Sequence, residues 1–385
     1  MAGNTYPYTG SWFIYTNQYN LTPYTPSGTT YYGGVVNNVI AAEVIKTVGE
    51  QSFWLQHASD GPGNVIQVKR ELTKSPGDVI HFQLITADDN APIDNGYEAW
   101  LNEETSVIYA DSVKLGLVRH AKKIDQPMSE QRASFNMRET MRELMSQWYT
   151  EYCVDKWITN KLSGADFADG GSTAIGESAV ANYAPLFGGS ATSTGTLTSA
   201  DTMTLDLLYK AREAARMGAV GATAIYKLRP VPLVTGGMGY KVVLHPYSVY
   251  DLTMDADWKD TWKMDIRGAQ SQLIAGERGN LPTQRAIPFA RIDDMELYSY
   301  AGTKTASTWG VGSNISGATN LFLGAQAGFL ALAQPLEWIE EEYFYKEYFG
   351  VMCRMVMGFD KAMFNSLDNG VIAIKVAATY HYTNV

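Results

Sequence analysis

Five histidines, two cysteines and one acidic run are the residues whose types could support acid–base, nucleophilic or metal chemistry in this sequence. The histidines, His57, His81, His120, His245 and His381, are far apart, and none forms a tight ligand pair such as HExxH. His245, followed by Pro246 at the end of the apolar run Lys241-Val-Val-Leu244, is the most site-like; a histidine satisfied within a turn explains it more simply. Cys153 and Cys353 sit in apolar surroundings and read as small buried hydrophobes. Glu340-Glu341-Glu342 beside Tyr343-Phe344-Tyr345 could gather carboxylates for general acid–base work. In a strand, though, successive side chains point to opposite faces, so a solvated edge or an intersubunit ion pair fits better.

The glycine-rich strings fare no better. Gly236-Gly237-Met238-Gly239-Tyr240-Lys241 resembles a phosphate loop superficially, but it precedes a strand and its lysine is not followed by Ser or Thr. Gly218 to Gly221 is too short for a dinucleotide fingerprint, and no GxSxG elbow occurs. The expectation is therefore no catalytic, cofactor-binding or metal-binding residue, and no cofactor.

The bulk properties bound what the elements can be. At 385 residues the chain can build one large domain or two to three ordinary ones. It is 45% hydrophobic and only 18% charged, with 24 Tyr, 9 Trp and 13 Phe, a composition suited to extensive subunit contacts or to a large aromatic core. The net charge of −10 argues against direct nucleic-acid readout, yet leaves room for a container that surrounds nucleic acid without gripping it. Lys69-Arg70 and Lys122-Lys123 are its densest basic spots. Two cysteines supply no disulfide framework, which fits a reducing compartment. Neither a signal peptide nor an apolar run of membrane-spanning length is expected, which predicts a soluble protein.

Along the chain, residues 1–34 lack helical or strand periodicity but carry nine aromatics, from Tyr6 to Tyr32, which predicts an arm that gains order against neighbouring surface. A short helix is expected over 36–48. Strand-like residues 65–85, broken at Ser75-Pro76-Gly77-Asp78, and 106–118 flank a polar stretch at 87–104. They read as a long hairpin, either projecting from the body or folded onto its own sheet. Apolar residues spaced by three and four from Phe135 to Leu162, after a Ser129 cap, predict a helix over 129–162. At ~1.5 Å per residue it would be a rod on the order of 50 Å long, packed on a sheet. Residues 163–200 read as a loop or boundary. A second helix is expected over 201–217, a strand over 291–300 and a Gly/Thr/Ser loop over 302–319. β-strands are expected at 321–324, 336–345, 351–359 and 371–377. Their return to the long helix implies a discontinuous domain interrupted by an insertion of roughly 200–335.

Several strings, in this order, carry a resemblance. They are Lys69-Arg-Glu-Leu-Thr-Lys-Ser-Pro-Gly-Asp78, Tyr109-Ala-Asp-Ser-Val113, Leu117-Val-Arg-His120, Met128-Ser-Glu-Gln-Arg132, Val243-Leu-His-Pro246 and Leu323-Gly-Ala-Gln-Ala327; Gly350-Val351 and Gly370-Val-Ile372 complete the set. Over roughly 65–377 the chain resembles tailed-bacteriophage major capsid proteins of the Hong Kong 97-type fold, an α+β architecture. The resemblance implies an N-terminal arm at 1–64 and an extended β-loop at 65–118 that clasps an adjacent subunit. It implies a peripheral domain of 119–199 and 336–385 with its spine helix at 129–162, and an inserted axial domain at 200–335. The implied partners are further copies in pentamers and hexamers, a separate scaffolding protein, a portal, decoration proteins and packaged double-stranded DNA. Assembly would occur in the bacterial host cytoplasm and the product would be the virion capsid. An encapsulin-like nanocompartment shell and, from another class, a soluble enzyme with an aromatic cleft are the competing readings.

Overall fold

The computed structural model describes residues 43–48, 51–70, 77–85, 108–125, 131, 137–165, 178–260, 288–300, 304–343, 345 and 347–378. The arm at 1–34, the polar stretch at 87–104, the start of the expected spine at 129–136 and His381 lie outside them, in whole or nearly so.

Two sheets organise the chain. The first contains β1 (Ile66–Lys69), β4 (Gly116–Asp125), β11 (Gly328–Tyr343) and β12 (Tyr348–Lys361). Its order is β1-β11-β12-β4, with a two-residue strand at Ala58–Ser59 outside β1. β1 runs parallel to β11, whereas β12 runs antiparallel to both β11 and β4. Register shifts between Leu332 and Glu337 accompany Pro335, which has no N–H to give to a ladder.

The spine packs on one face of this sheet. It runs from α1 (Met137–Trp148) through a π-helical stretch, Tyr149–Lys156, into α2 (Trp157–Leu162). The expected continuous α-helix is therefore interrupted, because eight residues use wider turns. This rephases the buried face. Besides Met141, Met145, Tyr149, Ile158 and Leu162 it buries Thr150, Asp155, Thr159 and Lys161, polar positions that a 3.6-residue stripe leaves out. Trp338, Val351 and Cys353 of the sheet face it in one apolar cluster.

The second sheet has the order β7-β8-β6-β10-β13-β5, with β9 paired to β10. Its strands are β5 (Leu186–Phe187), β6 (Met238–Leu244), β7 (Ala290–Ile292), β8 (Met295–Ser299), β9 (Lys304–Trp309), β10 (Ile315–Leu323) and β13 (Val371–Ala377). Val242, Leu244, Phe322, Ile372, Ile374 and Val376 pack with α3 (Leu205–Met217) in a second cluster. Thr204 caps α3 and Gly218, at φ 75°, ends it in the left-handed conformation.

Three expectations change at this level. β13 does not return to the spine with β11 and β12; it pairs with β10 in the second sheet, and β5, from the segment read as a loop, pairs with its other side in parallel. Residues 291–300 form two antiparallel strands rather than one, because Asp293 turns at φ 50° and Asp293-Asp294 is turn chemistry. The loop expected at 302–319 is a β-hairpin, β9–β10. Its glycines misled for a packing reason: the Trp309 ring lies over Gly317, where a Cβ would be 1.8 Å from a ring carbon.

β2 (Val79–Ile85) and β3 (Ile108–Lys114) form the expected antiparallel ribbon. Its root is not free. Ile80, Phe82 and Val113 pack on Phe329, Ala331, Ala362 and Phe364, and the Phe82 and Phe329 rings stack at 4.2 Å. Within the 65–118 segment, β1 and the first residues of β4 belong to the first sheet, so the ribbon proper is narrower than the strand pattern implies.

Candidate assembly surfaces

The residues that could do chemistry are dispersed by the fold. His81 is exposed on β2, and its carbonyl accepts from Lys69 Nζ at 2.8 Å. His120 on β4 stacks on Trp148 of the spine at 4.2 Å; burial first, then Lys122, lowers its pKa. His245 caps α4 (Pro246–Met254): Tyr247 N donates to its Nδ1 at 3.2 Å, with Pro246 at the first helical position. Cys353 is buried and burial pushes its thiol up to about 12, which suppresses the thiolate that nucleophilic chemistry needs. The side chain of Cys153 lies outside the described residues. Glu340 accepts from Trp338 Nε1 at 2.7 Å, while Glu341 and Glu342 are exposed at the end of β11.

Gly236 and Gly237, both at positive φ, make the turn into β6. The turn faces a carboxylate. Thr235 N and Oγ1 donate to Glu296 Oε1 at 2.8 and 2.7 Å, so a phosphate placed there would meet a buried like charge. Gly221 turns the small hairpin of Ala219–Val220 with Thr223–Ala224. Among the described residues no group of three or more His, Cys, Asp or Glu side chains could hold a metal ion.

Three buried polar interlocks went unnoticed in the sequence. Asp155, in the π stretch, accepts from Ser52 Oγ at 2.5 Å and Phe53 N at 3.3 Å, and Trp54 Nε1 donates to Thr159 Oγ1 at 2.8 Å. These bonds hold residues 52–54 on the spine. Burial raises the Asp155 pKa, and the bonds from Ser52 and its neighbours oppose that rise. Second, Lys241 Nζ lies 3.0 Å from His57 Nδ1, while Glu296, accepting from Tyr298 at 2.8 Å, adds a favourable field at the lysine. Burial, then Lys241, lowers His57 to about 3, so the imidazole is neutral and its Nδ1 accepts. Third, Lys361 Nζ pairs with Asp368 Oδ1 at 2.7 Å and donates to the carbonyls of Val180 and Ala181 at 3.2 Å each. Each interlock joins segments more than a hundred residues apart. The only sequence signal for them was a charged or hydroxyl residue inside an apolar stretch.

The surfaces are more distinctive than the buried groups. Beside the spine a cavity of about 320 Å³ is lined by Ile45, Val48, Tyr149, Leu332, Leu336 and Met355, among other apolar residues. The face of the first sheet turned away from the spine shows Leu117, Arg119, Lys123, Ile339, Glu341 and Met352, exposed or half-buried. At Gly358 the ribbon crosses directly over β12, and Asp111 Oδ2 accepts from Met363 N at 2.9 Å.

The family model described as "Phage capsid protein" matches residues 37–380. The chain is 25% identical over 379 residues to the major capsid protein of Pseudomonas phage KPP25, covering 86% of this chain and 95% of that protein. Its structure is similar to the capsid of Ralstonia phage GP4, with TM-score 0.70, 25% identity and coverage of 87% and 93%. It also shares its fold with the cyanophage Pam1 capsid, with TM-score 0.63, 18% identity and coverage of 85% and 92%. Neither the nanocompartment nor the aromatic-cleft enzyme is favoured by these matches. The fold is α+β of the Hong Kong 97 type, and the chain belongs to the phage capsid protein family as a major capsid protein of a phage head.

Proposed function

We propose that copies of this chain form pentamers and hexamers that close into an icosahedral head around double-stranded DNA, without sequence-specific contact to it. The observation that carries this reading is the family match over residues 37–380 together with a described surface built for contact rather than chemistry. Of residues 1–64, those before the described segment act as an arm whose base, at 43–64, packs on the chain's own spine, and the ribbon within 65–118 reaches an adjacent subunit. The spine with β11 and β12 forms the peripheral region, and the second sheet with α3 forms the axial region. A separate scaffolding protein, a portal and decoration proteins are the further partners, and assembly takes place in the bacterial host cytoplasm. The chain itself carries no catalytic site. Its net charge of −10 supports enclosure rather than gripping, since neutralising phosphates requires concentrated basic surface.

The test is to express the chain with and without co-expressed scaffold and image the purified particles. Closed shells with five- and six-fold capsomers are expected. A protein that stays monomeric in both conditions sinks the reading.

A further inference from the structure

The first sheet ends in two open edges, and they carry opposite charge. β11 pairs with β12 along its length, but β1 covers its other side only from Gly328 to Ala331. Among the described residues no strand pairs with 332–343 from that side. At the far edge β4 pairs with β12 from Gly116 to Asp125, and no described strand lies beyond it. The open part of β11 holds Glu337, Glu340, Glu341 and Glu342 and no cation. β4 holds Arg119, Lys122 and Lys123, with Asp125 at its end as its one carboxylate. Arg354 pairs with Glu337 at 2.6 Å, and residues 340–342 form the acidic end of the edge.

The two charged blocks sit at the same level along the strands. Lys123 stands opposite Gly350, which stands opposite Glu341; Lys122, Val351 and Glu340 form the next row. Because side chains alternate across a pleat, Lys123 and Glu341 share the outer face while Lys122 and Glu340 share the other. A second copy displaced sideways, with no shift along the strands, would set its Lys122–Lys123 against Glu340–Glu342 on both faces at once.

We infer that the β11 edge of one copy docks against the β4 edge of a neighbouring copy, the 340–342 carboxylates meeting Arg119, Lys122 and Lys123. Charge selects this head-to-tail contact over the two symmetric ones. Pairing β11 with β11 opposes glutamates, and pairing β4 with β4 opposes lysines; like charges so placed cost several kcal/mol. Charged edges normally repel further strands, but that protection fails when the approaching edge has the other sign. A head-to-tail contact is heterologous and generates rings or open arrays rather than isolated dimers, as a shell needs.

The inference rests on the capsid reading, and its test separates the two. Lys122→Glu with Lys123→Glu reverses one edge; Glu341→Lys with Glu342→Lys reverses the other and leaves the Trp338–Glu340 bond in place. Combining all four restores complementarity with the signs exchanged. Assembly of the full-length chains is followed by light scattering at low and high salt, with thermal melting of the subunits as the folding control. Each single-edge variant should melt as wild type yet assemble at least about tenfold more slowly at low salt, and the four-fold variant should recover most of that loss. Wild-type assembly rates in either single-edge variant overturn the inference, as does a folded four-fold variant that stays as slow as the single-edge ones. Wild-type protein that forms no particles even with co-expressed scaffold would instead overturn the capsid reading.

Discussion

The two sheets are of similar extent but are finished differently. In the second, β6, β10 and β13 are buried along almost their whole length on both faces, by α3 on one side and the first core cluster on the other. The first is buried along its spine side, while its other face is covered by the ribbon root only around Phe329, Ala331 and Gly358, and the rest of that face and the edges at 332–343 and β4 remain partly open among the described residues. One sheet is completed by its own chain. The other keeps apolar and charged surface that the described residues do not cover, which is what a shell subunit requires of the region that meets its neighbours.

The sharpest way to break this contrast is to truncate the same kind of group in each sheet. Phe322 is fully buried and packs against Tyr240 at 5.1 Å between ring centres. Phe322→Ala should cost the unassembled subunit about 3–5 kcal/mol in urea unfolding, as a cavity in a core that cannot collapse. Met352 on the outer face of the first sheet is half-buried, and Met352→Ala should cost under about 1 kcal/mol. Equal losses would mean that the outer face is as closed as the second sheet.

The junction between the sheets should respond next. Lys361 ends β12 and Asp368 precedes β13, so their ion pair lies where the chain passes from the first sheet to the second. Both side chains are almost fully buried, and Asp368 Oδ2 also accepts from Tyr183 N at 2.9 Å. Asp368→Ala leaves an ammonium buried without its carboxylate and should cost about 3 kcal/mol. The double change Lys361→Met with Asp368→Leu should recover much of this, because a desolvated pair is weakly stabilising relative to apolar groups of similar size. If the single and double variants are equally unstable, the pair is not what holds the junction.

What could be read beforehand follows the same division. The long helix, β11, β12 and the ribbon were legible because each has one wet face and one dry face, and the resulting period survives in the sequence. The second sheet was harder. A strand dry on both faces, such as Val371–Ala377, shows its type but not its neighbours, so the pattern does not tell that β13 pairs with β10 and β5 rather than packing on the spine. The hairpin at 304–323 was hidden because Gly310, Gly312 and Gly317 look like loop residues, although Gly317 is there to seat Trp309. The π stretch was invisible because Asp155 and Thr159 interrupt the stripe in a way that makes sense only with Ser52 and Trp54 in view. Residue spacing carries no convincing chemical motif, and it does not encode which surfaces the fold leaves open.

Acid should weaken the contact between the 51–57 segment and the second sheet before it weakens the sheets. His57 titrates at about 3 in the fold and near 6.5 when unfolded. Between those values the unfolded chain binds more protons, so stability is complete above pH 6.5 and is lost as pH falls toward 3. For His57 alone the loss is roughly 3 kcal/mol at pH 4. Asp155 works in the opposite sense, since burial raises its pKa and the fold then takes up its proton more readily. The net fall is therefore smaller than the histidine's own. His57→Gln should flatten the stability profile between pH 6.5 and 4, measured by urea unfolding of subunits; an unchanged slope would assign the acid sensitivity to another group.

A smaller effect than these losses of buried groups is expected at the seat of the ribbon, where backbone rather than side chain makes the contact. A Cβ on Gly358 would lie 2.5 Å from the carbonyl oxygen of Lys114 and 3.0 Å from a Val113 methyl. The oxygen is main chain at the end of β3, opposite Val79, so the strand itself and not a rotamer must give way. Gly358→Ala must therefore lift the ribbon root off β12, at about 1–2 kcal/mol, by the same overpacking that penalises extra methylenes in a core. Gly61 has no heavy atom within 4 Å of its Cβ position, so Gly61→Ala should stay within about 0.5 kcal/mol and serves as the control. Limited proteolysis separates the two: the Gly358 variant should be cut within 79–114 faster than wild type while β6 and β10 stay protected. Equal cleavage in wild type and variant would mean that the apolar packing of Ile80, Phe82 and Val113 and the Asp111–Met363 bond hold the root, and that the close crossing at Gly358 is incidental.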